Sequence, residues 1–244
     1  MNNNLKSWKH PAILLTSIGI SSVGEFIYLV AINIIVYQLT GSATAVAGLW
    51  IIGPLTNIAT KFWTGSFIDY RSKRKVMLVT YIFRALFIGL LPLAPNMMLI
   101  YGILVVISIA NAFFTPASMT YVTILVPIDK RKRFNAIRSF TSSGAFIVGP
   151  AIGGALIILT SIEITLWLNA MFFVVAAFLL LFLPEKENID KETIPALTIS
   201  QVLRDFTVVW DFMLANKYVS TIYLSFIIIL VFSFAMDTQE VVYK

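Results

Sequence analysis

The chain has 244 residues, of which 12% are charged and 59% hydrophobic, and its mean hydropathy is +0.88. Soluble domains carry about 25% charged residues, so this composition excludes an ordinary soluble globular protein and also a disordered chain. The net charge is +6, but the basic residues lie between apolar runs, as in membrane proteins, which argues against a nucleic-acid-binding patch. Cysteine is absent, so disulfides and thiolate chemistry are excluded.

Seven apolar runs are long enough to cross a membrane as helices, for which about 20 residues are needed. They cover residues 11–39, 45–67, 76–94, 97–126, 140–160, 164–183 and 219–235. Each run is apolar throughout, which favours helices over the short alternating strands of a membrane β-barrel. The sequence therefore predicts an all-α, multi-pass membrane protein.

The connections between these runs differ in charge on the two sides of the membrane. Lys and Arg precede the first run and lie in the second-to-third, fourth-to-fifth and sixth-to-seventh connections, whereas QLTGSAT, APNMM and TSIEI contain none. Because basic residues near span ends stay on the cytoplasmic side, we expect a cytoplasmic N-terminus in a cell membrane. The seventh run would then end outside.

The longest connection, residues 184–217, is polar and contains Pro184 and Pro195. We therefore predict three parts: a six-helix bundle in residues 1–183, a cytoplasmic linker in residues 184–217, and a seventh transmembrane helix in residues 218–244. Apolar residues recur at helical spacing between residues 199 and 214. This spacing predicts either an amphipathic helix on the inner membrane surface or a solvated helix in the linker.

The connection after the second run carries one acid and several bases behind a glycine. The residues of this inner-loop motif are Gly65, Asp69, Arg71, Lys73 and Arg74. Such a cluster predicts a charge latch between helices, and an ordinary basic loop is the alternative. The loop resembles the signature of the major facilitator superfamily, in which glycine, three residues, aspartate, a base, any residue and glycine precede two bases. Positions 70 and 72 depart from that pattern.

The fifth run has a face of small residues. Gly149 and Gly153 are four residues apart, so this face favours close helix packing, and Pro150 favours a bend beside it. A glycine, then Gly-Pro, then Gly-Gly resembles the fifth-helix motif of drug–proton antiporters in the same superfamily. The motif residues here are Gly144, Gly149, Pro150, Gly153 and Gly154. The resemblance implies that the last four form a bend that helps to seal the transporter against leak.

The fourth run contains the phrase Asn111-Ala-Phe-Phe-Thr-Pro116-Ala, followed by Leu125-Val-Pro127. This phrase resembles the macrolide and siderophore exporter branch of the superfamily. The run is uncharged, and Asn111 is its clearest polar candidate. The resemblance implies a fold of two inverted three-helix repeats forming the N-terminal bundle of a facilitator, followed by a seventh helix.

Two charged residues fall well inside the runs, Glu25 and Arg84. A charge at mid-bilayer costs about 2.5–3.5 kcal/mol on insertion scales, so each is a functional candidate. Both could face one central cavity, and Tyr28 shares a helical face with Glu25. We expect Glu25 to take up a proton or to meet a cationic substrate. The alternative is a structural Glu25–Arg84 pair that never titrates, and Arg84 could also extend toward the inner surface.

The resemblance implies a secondary active transporter that exports a hydrophobic drug or similar small molecule in exchange for protons, and so confers drug resistance. A truncated or split fragment without transport activity of its own is the alternative. The expected partners are the substrate, protons, membrane lipid and either a missing C-terminal half or a second copy of the chain. The sequence contains no cofactor pattern, no metal-ligand spacing around His10 and no nucleophile–base arrangement of an enzyme.

Overall fold

The structure is a computed structural model that describes residues 8–185, 204, 207, 210–226 and 228–229. It divides the chain into two compact units, Met1–Ile194 and Pro195–Lys244. The described part of the first unit forms six α-helices and one short 3-10 turn, Leu91–Leu93. The helices are α1 (Lys9–Thr40), α2 (Ala43–Asp69), α3 (Lys73–Leu90), α4 (Met97–Leu125), α5 (Ile128–Leu159) and α6 (Ile162–Leu181).

All six helices contain a segment long and apolar enough to cross a membrane. Each corresponds to one of the first six predicted runs, so the prediction of an all-α membrane bundle is confirmed. The physical reason is general, because a chain in hydrocarbon must satisfy its backbone polar groups within each span. Four of the helices begin with a Ser or Asn cap whose side chain accepts a backbone hydrogen bond, at Ser42, Ser72, Asn96 and Ser161.

Helix α5 begins earlier than the sequence predicts, at Ile128 rather than near residue 140. Pro127 occupies its N-cap with φ of −55°, which suits a helix start, and Asp129 lies in the first turn, where the helix dipole favours an acid. The predicted fourth-to-fifth connection is therefore wrong. Its basic residues are helical and belong to α5: Lys130, Arg131, Lys132, Arg133 and Arg138.

The packing of the helices follows an internal repeat. Helix α1 packs mainly against α5 and α6, and α4 packs in the same way against α2 and α3, while α3 and α6 contact each other. Exchanging α1–α3 for α4–α6 leaves this scheme unchanged. Each repeat contains three helices, an odd number, and successive helices alternate in direction. Equivalent helices therefore run in opposite directions, so the repeats are inverted, as in many transporter folds.

Contacts between distant segments bring the basic connections to one end of the bundle. Trp8, before α1, lies with its ring 5.1 Å from the guanidinium carbon of Arg133. Tyr121 near the end of α4 donates a hydrogen bond of 2.8 Å to the carbonyl of Pro184, just beyond α6. We call this the basic end; it comprises residue 8, the α2–α3 connection, the first turns of α5 and residues 182–185. Its cytoplasmic location stays a prediction.

The second unit is described only in part. Residues 210–215 and 217–226 are helical, as are 228 and 229. The predicted seventh span, residues 219–235, and the predicted amphipathic stretch, residues 199–214, both extend outside the described residues. The predicted division into bundle, linker and seventh helix therefore stays a prediction.

Candidate functional site

A cluster of polar side chains lies inside the first unit and joins three helices. Arg84 on α3 forms an ion pair with Glu25 on α1, with 3.4 Å between Nη2 and Oε1. The other terminal nitrogen of Arg84, Nη1, donates a hydrogen bond of 3.4 Å to Oδ1 of Asn111 on α4. We call Glu25, Arg84 and Asn111 the central cluster. It brings together three of the residues that the sequence singled out.

The positions of these residues in their helices explain why they meet. Glu25 and Asn111 lie near the middle of α1 and α4, which are equivalent helices of the two repeats. Helices α3 and α4 run in opposite directions, and one turn from Arg84 the ring of Tyr81 packs 4.6 Å from that of Phe114. This aromatic contact sets the register that places Arg84 opposite Asn111.

The members of the cluster differ in exposure. The side chain of Arg84 is 3% exposed, whereas that of Glu25 is 46% exposed. The guanidinium carbon of Arg84 lies 4.3 Å from the centre of the Phe173 ring, so an aromatic face covers the cation. A buried charge is tolerated when it is paired and hydrogen-bonded. A proton or cation that approaches the cluster therefore meets the carboxylate of Glu25, and Arg84 is held behind it.

Tyr28, the fourth candidate, lies close enough to interact electrostatically with both Glu25 and Arg84. The structure thus brings together the four residues proposed for proton or substrate binding, although their roles stay predictions. Arg84 does not extend toward the membrane surface, because its side chain is buried within the bundle.

Sequence reasoning missed two neighbours of the cluster, Tyr81 and Asn169. Tyr81 and Ser21 share a hydrogen bond of 2.8 Å between their hydroxyl oxygens. Asn169 on α6 is 1% exposed, and neither of its amide atoms has a hydrogen-bond partner. Its Oδ1 lies 2.6 Å from the point where a Cβ would stand on Gly24. A polar residue inside an apolar run was the available signal for Asn169.

The fifth-helix motif packs against α1 beside the acid of the cluster. A Cβ at Gly149 would lie 2.5 Å from Cβ of Phe26, and one at Gly153 would lie 3.2 Å from Cα of Ile27. Phe26 and Ile27 directly follow Glu25, so the small face holds α1 at the level of the carboxylate. The predicted small-residue face therefore exists.

Other members of the fifth-helix motif do not take part in this contact. A Cβ at Gly144 or Gly154 would have no atom within 4 Å. Helix α5 continues through Pro150 to Leu159. The role of the motif as a seal against leak stays a prediction.

The inner-loop motif connects α3 to the end of α6 at the basic end. Arg74 donates from Nε to the carbonyl of Leu180 and from Nη2 to that of Leu181, each at 2.9 Å. A cation at the last carbonyls of a helix satisfies unpaired acceptors and matches the helix dipole. Arg74 thus ties the start of α3 to the end of α6, and the role of the motif as a charge latch stays a prediction.

Two other motif residues contact groups close to them in the chain. Lys73 donates from Nζ to the backbone carbonyl of Asp69 at 3.0 Å, and Arg71 stacks 4.3 Å above the ring of Phe67. Asp69 and Gly65 are exposed, and a Cβ at Gly65 would meet no atom within 4 Å.

We expect Arg74→Gln to lower the free energy of unfolding by about 1–2 kcal/mol, because two charge-assisted hydrogen bonds to α6 are lost and the site is partly exposed. Thermal and denaturant unfolding in mixed micelles would measure the change. Lys132→Gln is the matched control, since Lys132 is an exposed base at the same end. Equal losses in the two variants would contradict the latch.

A second contact at the basic end depends on pH. Lys75 Nζ lies 2.8 Å from Oε1 of Glu185. Hydrogen bonds from Lys75 and then from Ser72 hold the pKa of the Glu185 carboxyl below its usual range. A carboxyl with a lowered pKa in the folded state stabilises that state above its ordinary pKa of about 4.3. This contribution is lost as pH falls through the lowered value.

We therefore expect Glu185→Gln to lower the melting temperature slightly at neutral pH and to have no effect in acid below the folded-state pKa. Melting curves from neutral pH down to about pH 3 would measure the difference between variant and wild type. In a Lys75→Gln background, Glu185→Gln should leave the melting temperature nearly unchanged. A difference that persists unchanged in acid would rule out the ion pair as its cause.

Comparisons with known proteins agree with the all-α membrane fold of the chain. The profile of the Major Facilitator Superfamily matches residues 14–242. An uncharacterized MFS-type transporter of Bacillus subtilis (strain 168), YfiS, is 29% identical over 191 residues, which cover 76% of this chain and 46% of the relative. The multidrug efflux pump Tap of Mycolicibacterium fortuitum is 26% identical over 174 residues, which cover 66% and 42%. The chain spans about half the length of these relatives.

Proposed function

Because this chain belongs to the Major Facilitator Superfamily, we propose that it acts in a transporter that exports hydrophobic small molecules in exchange for protons. The six helices in the described part of its first unit form one inverted-repeat bundle. Within the superfamily, we assign it to the drug–proton antiporters of the macrolide and siderophore exporter type. This finer assignment rests on the phrase at Asn111–Ala117 and on the glycine pattern of α5.

The observation that carries the proposal is the half-exposed Glu25 paired with the buried Arg84 near the middle of the spans. Substrate and coupling-ion sites of facilitators lie near the bilayer midplane, between helices of the repeats. Ionisable residues at this depth are rare and mark ion or substrate paths. An acid in this position can bind a proton or a cationic substrate without unfolding the bundle.

The geometry indicates how proton uptake would act on the helices. When Glu25 is ionised, the ion pair ties α1 to α3, and Asn111 ties α3 to α4. Protonation of Glu25 removes the charge that attracts Arg84, so the α1–α3 connection weakens while Arg84 keeps Asn111 and the Phe173 ring. In this proposal the weakened α1–α3 contact is the step by which a proton at the midplane site acts on the rocking of one bundle against the other.

The direction of transport rests on two further observations. The relative Tap bears the name multidrug efflux pump, and α5 carries a glycine pattern that resembles the fifth-helix motif of the drug–proton antiporters. We propose export on these grounds, with the basic end on the cytoplasmic side of the cell membrane. Either a C-terminal bundle or a second copy of the chain would supply the opposite wall of the path.

Energised cells that express the chain test this function directly. They should extrude fluorescent hydrophobic dyes faster than empty-vector cells, and an uncoupler should abolish the difference. Dye extrusion that persists after the proton gradient is dissipated would contradict proton coupling. No extrusion from a chain that is inserted in the membrane would favour the alternative, a fragment that needs a separate partner.

A further inference from the structure

A groove lies between α2, α3 and α4 and opens at the basic end. Its inner end is lined by Phe83 and Ala110, which precede Arg84 and Asn111 in the chain. Its volume is about 710 Å³. Its lining side chains on α3 and α4 are mostly apolar, and its charged ones lie at the mouth. The lining includes Phe67, Arg71, Lys75, Val79, Phe83 and Val106.

The depth of the groove matches one leaflet of a bilayer. On α3 the lining runs from Ser72 to Phe83, which at about 1.5 Å per residue is about 16 Å along the helix. Half of a hydrocarbon core of about 30 Å is about 15 Å. The groove thus begins at the level of the headgroups and ends close to the middle of the membrane.

The mouth of the groove carries an excess of positive charge. Arg71 is exposed and stacks on the Phe67 ring, which holds its guanidinium at the mouth. Lys75 is exposed too and forms an ion pair with Glu185. Two cations and one carboxylate leave a net charge of one at the mouth, which matches a single phosphodiester. Basic pockets between spans on the cytoplasmic side are sites for anionic lipid headgroups.

We propose that this groove binds one phospholipid with an anionic headgroup, whose phosphate contacts Arg71 and Lys75 and whose acyl chain lies between α3 and α4. A free phosphate would leave the apolar length of the groove unfilled, whereas an acyl chain of one leaflet fills it. The bound phosphate competes with Glu185 for Lys75. Lipid composition therefore acts on the contact between the start of α3 and the segment after α6.

Photo-crosslinking of the full chain in nanodiscs tests this site. The probes are phosphatidylglycerol and phosphatidylcholine that carry a diazirine in the acyl chain, and peptide mass spectrometry locates the labels. We expect preferential phosphatidylglycerol labelling at Val79, Phe83 and Val106, and equal labelling by both probes on the exposed face of α5. The electrostatic attraction between the anionic headgroup and each basic residue should raise the affinity for the lipid about fivefold.

Two pairs of variants separate the headgroup from the acyl contact. Arg71→Gln combined with Lys75→Gln should remove the preference for phosphatidylglycerol, and Lys132→Gln, at the same end but outside the groove, should not. Val79→Trp, which narrows the groove, should reduce labelling by both probes there. Leu86→Trp, on an exposed part of α3 beyond the groove, should leave it unchanged.

Four results would overturn the proposal. The first is labelling with no headgroup preference, and the second is a preference that survives loss of Arg71 and Lys75. The third is loss of labelling when inorganic phosphate alone is present during irradiation, which would indicate an anion site without an acyl contact. The fourth is loss of labelling in the presence of hydrophobic dyes but not of unlabelled phosphatidylglycerol, which would assign the groove to substrate instead.

Discussion

Glu25→Gln should reduce uncoupler-sensitive dye efflux to the empty-vector level while the protein is still inserted in the membrane. The amide retains the size of the side chain but cannot bind and release a proton. It also leaves Arg84, whose side chain is 3% exposed, without its counter-ion. Loss of one partner of a buried pair costs about 3–5 kcal/mol and of an exposed pair up to about 1 kcal/mol. For the half-exposed Glu25 we expect about 1–3 kcal/mol.

Because this loss of stability could itself stop transport, a second variant is needed. Glu25→Gln combined with Arg84→Gln removes the unpaired buried cation, so the melting temperature should return toward that of the wild type. If Glu25 couples the proton, transport stays absent in the double variant. If the pair is purely structural, transport returns with stability, and the coupling role of Glu25 is refuted.

Glu163→Gln is the matched control for this experiment. Glu163 is an exposed acid in the first turn of α6, remote from the central cluster in the chain. Its neutralisation should leave efflux unchanged. Glu25→Asp, which retains the proton site one methylene shorter, should keep part of the uncoupler-sensitive efflux.

Gly149→Ala should lower the free energy of unfolding by about 1–3 kcal/mol, the usual cost of overpacking. The new methyl group would lie 2.5 Å from Cβ of Phe26 and 3.3 Å from the carbonyl oxygen of Val23. The Val23 oxygen belongs to the backbone of α1, and the Phe26 Cβ is bonded to that backbone. Because neither atom can rotate away, the two helices must move apart. This movement displaces α1 beside Glu25, so we also expect transport to fall severalfold.

Gly154→Ala is the control for this substitution, because a Cβ at that position would have no atom within 4 Å. Both changes gain the same helix propensity, about 0.5–1 kcal/mol for Gly to Ala, so their difference isolates the contact with α1. We expect Gly154→Ala to be neutral or slightly stabilising. Similar losses of stability and transport in the two variants would show that the glycines act through helix flexibility and that the close contact is unimportant. Unfolding in mixed micelles and dye efflux would measure both effects.

The apolar runs and the distribution of basic residues determined much of the fold in advance. Span length and polarity are local properties, because each helix must satisfy its own backbone in hydrocarbon. They located the first six helices correctly, and the isolated charges Glu25 and Arg84 identified two members of the central cluster. The start of α5 was missed, because its first turns are helical but basic and hydropathy detects only the apolar part.

Only the tertiary structure decided which residues meet. Periodicity shows that a helix has a small-residue face, but the contact with Phe26 and Ile27 distinguishes Gly149 and Gly153 from Gly144 and Gly154. The same applies to Arg74, whose bonds to the end of α6 cross more than 100 residues of sequence. The register between α3 and α4 places Asn111 beside Arg84. Such pairings depend on how side chains of different helices interlock, and no local pattern in one helix contains that information.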